Sequence, residues 1–145
     1  MKIISWWQTW VDQRALQIAK EFWIETWGYA PKNFSTEKWQ NSVLKEYWLV
    51  DSWLWYSWRT KLNINKSDVT IIVYPNKKFT SPGTEFTKMY CVDNWKKYYV
   101  LDDLTIPKIK WYEIYNFVWP RESKLTEKEK DTCKKILKKV ISLLK

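Results

Sequence analysis

"EFTKMYCVDNWKKYYVL", residues 85–101, is the stretch on which the reading of the fold turns. Both halves are rich in aromatic and β-branched residues, which suit a pleated surface. Asp93-Asn94 between them is a turn-forming pair. The spacing predicts a β-hairpin, and a hairpin makes the surrounding sheet antiparallel.

The flanks extend that reading. Upstream, "VTIIVYP" (69–75) is a short β-branched run and predicts a strand, followed by a loop with Pro82-Gly83 as its turn. Downstream, "DDLTIPK" (102–108) predicts a loop. "IKWYEIYNFVW" (109–119) predicts a long aromatic strand closed by Pro120. About four antiparallel strands are therefore expected across 63–120.

The N-terminal part reads as two Trp-rich helices. From Ser5 to Trp27 there is no Pro or Gly, and apolar residues recur every three or four positions. Gly28 and Pro31 suit a helix end. A second helix is expected from Ser35 or Thr36 onward, with Trp39, Val43, Tyr47, Val50, Leu54 and Trp58 as its buried stripe. Trp48, Trp55 and Arg59 fall off that stripe, seven and four residues apart, along one line of the helix. They form a candidate interaction surface, either a cation–π contact or a stacking platform beside a cation.

The C-terminal segment "LTEKEKDTCKKILKKVISLLK" (125–145) has the clearest helical pattern. Thr126 and Glu129 make a capping box. Cys133, Ile136, Leu137, Val140, Ile141 and Leu144 share one face, and Lys134, Lys135, Lys138 and Lys139 the other. Taken together, residues 1–145 read as a single α+β domain: 1–62 helical and Trp-rich, 63–120 antiparallel sheet, 121–145 an amphipathic basic helix.

Charge directs the functional reading. The 145 residues carry 25 basic and 16 acidic side chains and no histidine, for a net charge of +9. A basic domain is the electrostatic footprint of a polyanion binder. Lys77, Lys78, Lys88, Lys96 and Lys97 interleave with Tyr90, Trp95, Tyr98 and Tyr99, as stacking residues and phosphate-holding cations do on single-stranded RNA or DNA. The four lysines of the last helix would add to that footprint. The expectation is a non-enzymatic nucleic-acid-binding protein, acting alone or as a component of a larger nucleoprotein assembly. The alternative is a protein-interaction or self-associating module using the Trp-rich helix faces.

Catalysis is disfavoured. Without histidine there is no Ser-His-Asp triad, no Cys-His dyad and no typical zinc site. Asp102, Asp103, Glu113 and the "ESK" of 122–124 supply parts for a metal-dependent nuclease, the second alternative, but no motif joins them. With two glycines in the chain, no phosphate-cradling Gly loop exists. No cofactor and no metal site are expected, and Cys91 and Cys133 read as two buried thiols. The apolar run Ile3–Val11 is too short to span a membrane and lacks a signal-peptide cleavage pattern, so an intracellular location is expected. A membrane-surface role for the last helix is disfavoured, since it carries no bulky aromatic residue.

Overall fold

A computed structural model describes residues 1–5, 10–30, 32–34, 49–51, 56–109 and 111–144. It replaces the expected antiparallel sheet with a parallel one. Six strands, β1 (Lys2–Ser5), β2 (Glu25–Ala30), β3 (Leu49–Asp51), β4 (Val69–Val73), β5 (Lys97–Leu101) and β6 (Ile114–Val118), lie in the order β3-β2-β1-β6-β4-β5. Every pairing is parallel, including β4 with β5 and β1 with β6. The helices are α1 (Trp10–Glu21), α2 (Tyr56–Lys66), α3 (Pro82–Asp93) and α4 (Glu127–Leu144).

The architecture is thus α/β, and the α+β expectation is overturned. Residues 85–93 belong to helix α3, so no hairpin forms at Asp93-Asn94. Parallel neighbours cannot be joined by a two-residue turn. They need a crossover, and α3 is the crossover from β4 to β5. The first expected helix, 5–27, is instead the unit β1–α1–β2. Of the second expected helix, residues 35–48 lie outside the described residues, while 49–51 form β3 and α2 opens only at Tyr56. Asn63, Asn65 and Lys66, at the start of the expected sheet region, close α2 instead.

The last helix stands where its capping box places it. The Thr126 amide donates to Glu129 Oε2 at 2.9 Å and the Glu129 amide donates to Thr126 Oγ1 at 3.3 Å. Cys133, Ile136, Leu137, Val140 and Ile141 are its buried face.

The two faces of the sheet are covered differently. α1 and α4 meet on one face, over Ile3, Val69, Ile71, Val73, Tyr115 and Phe117, and make the main apolar core. α2 and α3 cover the other. They bury Arg59, Thr60, Asn63, Thr84, Thr87 and Cys91 there, a mostly polar set. β4 is buried along its whole length, as a central parallel strand must be. Gly28, expected at a helix end, lies within β2 at φ +144°. A Cβ there would press on the Ile4 Cγ2 methyl at 3.0 Å, and the positive φ would itself strain any other residue.

Candidate functional site

In an open parallel sheet the connections from neighbouring strands leave on opposite faces where the strand order reverses. A crevice opens there, at the carboxyl ends of the strands. Here the chain runs outward from β1 to β3, then crosses back to β4 and β5, and β6 fills the gap last. A cavity of about 380 Å³ lies at that carboxyl edge, walled by the first turns of α2 and α3 and the segment that follows β6.

Its walls combine cations and rings. Arg59, Arg121 and Lys124 line it with Tyr56, Phe86 and Trp119, and no carboxylate does among the described residues. Arg59 is 0% exposed, which for a guanidinium is rare. The Tyr56 ring organises two of the cations: Arg59 Cζ stands 5.4 Å and Arg121 Cζ 5.5 Å from its centroid. The ring thus brings two guanidiniums to one wall of the cavity.

The mouth of α3 adds backbone donors. Ser81 precedes the helix in extended conformation but makes no side-chain cap bond to it. Its hydroxyl lies 2.7 Å from that of Thr84 instead. Pro82 has no N–H and the Glu85 amide donates to Ser81 O at 3.0 Å, so the donors left in this first turn are the Gly83 and Thr84 amides, at the positive end of a twelve-residue helix whose Pro82-Gly83 lines the cavity. Trp119 forms another wall. It is 3% exposed, and its indole Nε1 meets no acceptor among the described residues. A buried donor without an acceptor is costly and marks a place where a ligand atom fits.

Of the residues singled out from the sequence, Arg59 belongs to this site, as a buried wall and not as surface. Trp48 and Trp55 lie outside the described residues. Trp58, expected in the core stripe, is 56% exposed. The remaining candidates are spread over the molecule. Lys77 and Lys78 sit in the turn after β4, where Lys77 pairs with Asp103 at 3.6 Å. Lys88 and Tyr90 are on α3, and Trp95 and Lys96 follow it. Lys97, Tyr98 and Tyr99 lie in the edge strand β5, and Tyr98 and Tyr99 pack against opposite faces of the sheet. Lys134, Lys135, Lys138 and Lys139 are on α4, across the sheet from α3.

The carboxylates do not converge. Asp102 and Asp103 follow β5, whereas Glu113 precedes β6 at the other end of the sheet. The Thr105 amide donates to Asp103 at 2.6 Å and holds its carboxyl below the usual range, with Lys77 adding to the effect. Glu122 is paired with Lys130 at 3.1 Å. Among the described residues no three potential metal ligands gather. No described helix is long and apolar enough to cross a membrane.

The parallel sheet and its carboxyl-edge crevice define a Rossmann-like α/β domain. The chain belongs to the circularly permutated YpsA SLOG family, whose model matches residues 3–139. Among solved structures it is similar to one described as "putative molybdenum carrier protein" from Syntrophus aciditrophicus SB. The TM-score is 0.76 and the identity 24%, over 99% of this chain and 93% of that one. At that identity the likeness is one of fold. No curated protein sequence matches the chain.

Proposed function

We propose that this is a small-molecule-binding domain that takes a ligand bearing an oxyanion, such as a phosphate, in the cavity at the carboxyl edge of the sheet. The observation that carries it is the fully buried Arg59, set in one cavity wall with Arg121 and Lys124. The anion would lie between these cations and the first turn of α3. The volume of about 380 Å³ falls in the range of small-molecule sites and exceeds what a lone oxyanion fills. Tyr56, Phe86 and Trp119 would hold a flat apolar portion of the ligand. The structural relative's described cargo, molybdenum, would reach such a site as an oxyanion.

Calorimetric titration with a nucleoside 5′-monophosphate, the matching nucleoside and molybdate tests this. The anions bind and the neutral nucleoside does not. Arg121→Ala and Lys124→Ala, both at exposed positions, each weaken binding by about tenfold or more, the scale of a charge-assisted hydrogen bond. Equal binding of the neutral nucleoside, or full affinity in both variants, rejects the reading.

A second reading is RNA or DNA binding. It is supported by the net charge and by Lys61, whose Nζ stands 4.9 Å from the Trp58 ring and 5.6 Å from that of Tyr90. It requires affinity for single strands that falls by about 0.7 log units per log unit of salt for each phosphate held. A flat salt response removes it.

A further inference from the structure

The opposite edge of the sheet carries a second feature. α1 and α3 end in the same way. After α1, the Trp23 amide donates to Lys20 O at 3.0 Å and the Ile24 amide to Ala19 O at 2.8 Å. After α3, the Trp95 amide donates to Val92 O at 3.2 Å and the Lys96 amide to Cys91 O at 2.8 Å. Both are Schellman closures, whose pivotal residue adopts a left-handed conformation and is ordinarily glycine. Here it is tryptophan, at φ 58° in Trp23 and 54° in Trp95.

A bulky side chain in that region is strained. Burial could offset the strain, but Trp23 is 94% and Trp95 96% exposed. Trp111, three residues before β6, is 64% exposed. Because all strands are parallel, the three rings stand at one edge, before β2, β6 and β5. The strands they precede alternate with β1 and β4 across the sheet, so the rings are spread along its amino-terminal end.

We infer that this amino-terminal edge is the docking face for a second copy of the chain, in a two-fold pairing edge to edge. Charge selects that occupant. On a protein of net charge +9, each ring at this edge has both signs within three residues in sequence: Lys20, Glu21 and Glu25 at Trp23; Asp93, Lys96 and Lys97 at Trp95; Lys108, Lys110 and Glu113 at Trp111. A two-fold interface lays a patch on its own copy, which mixed signs permit and a single sign opposes. A polyanion or an anionic bilayer would favour the reverse. Area agrees: at these exposures the three tryptophans offer about 500 Å² per protomer, more than half of the about 800 Å² of a standard interface. The pairing leaves both carboxyl-edge cavities open at the far ends.

The test is the double variant Trp23→Gly/Trp95→Gly, in which glycine restores the residue the two closures favour. Sedimentation of the wild-type chain from about 1 to about 500 µM shows a concentration-dependent dimer. The variant raises the dimer dissociation constant by at least about tenfold, the scale of interfacial tryptophans. Thermal unfolding at a concentration where both are monomers shows the variant at least as stable as the wild type, so lost pairing is not lost folding. A wild-type monomer throughout, or a dimer that survives the substitutions, overturns the proposal. So does a monomer whose tryptophan emission shifts blue on phosphatidylserine vesicles and not in the variant, which assigns the edge to a lipid surface.

Discussion

At the scale of the residue, two buried groups tie stability to alkaline pH. Burial pushes the Cys133 thiol up to about 12, with Glu129 adding to it. Burial also pushes Tyr74 up to about 12, reinforced by the 2.6 Å hydrogen bond it donates to Glu85. Ordinary values are 9.0 and 10.0, so between these and 12 the unfolded chain has lost protons that the folded chain keeps. The contribution is whole below pH 9 and declines as pH rises toward 12. Urea midpoints measured at pH 8, 9.5 and 10.5 should fall in that order, and Tyr74→Phe should flatten the decline above pH 10. Both thiols are free and buried, so a thiol reagent at pH 8 should find neither Cys91 nor Cys133 until denaturant is added.

Trp23 and Trp95 also explain why the fold was only partly legible. Helix ends are read from glycine, asparagine and proline, because those residues tolerate a left-handed or broken backbone. Here the two terminating positions hold tryptophan. With no stop visible at Trp23, one helix reads across both α1 and β2. With none at Trp95, the aromatic content before it reads as strand.

At the scale of the element, legibility followed the chemistry of the buried face. β4 and α4 bury aliphatic residues with clear periods, and both stand where their patterns place them. α3 buries Thr84, Thr87 and Cys91, and leaves Met89 and Val92 exposed. Its inward face is small and polar and its outward face apolar, which inverts the pattern that marks a helix. The capping box of α4 gives a direct measurement. Thr126→Ala removes both the hydroxyl that caps Glu129 and its bond to the Glu129 carboxylate, and should cost about 0.5–2 kcal/mol in urea unfolding.

At the scale of the whole molecule, the candidate site was the least legible feature. Its walls come from residues 56–60, 81–86 and 119–124, which no local motif links. Of its walls the sequence marked Arg59, through its spacing from two tryptophans, Lys124, as part of "ESK", and Pro82-Gly83, as a turn, and nothing in the sequence joins them. What gathers these segments is the strand order, a property of the complete sheet.

That order also governs how the molecule comes into being. β1, made first, sits between β2 and β6, and β6 begins only at Ile114. Residues 2–5 pair with 114–117, so the earliest strand keeps one edge open until most of the chain has been synthesised. Pairing so distant in sequence closes late and slowly. A chain ending at residue 112 should be unfolded by circular dichroism, because its sheet lacks the strand that joins its two halves. On the ribosome, the chain must therefore hold its opening strand in reserve, exposed to misassociation, until β6 emerges.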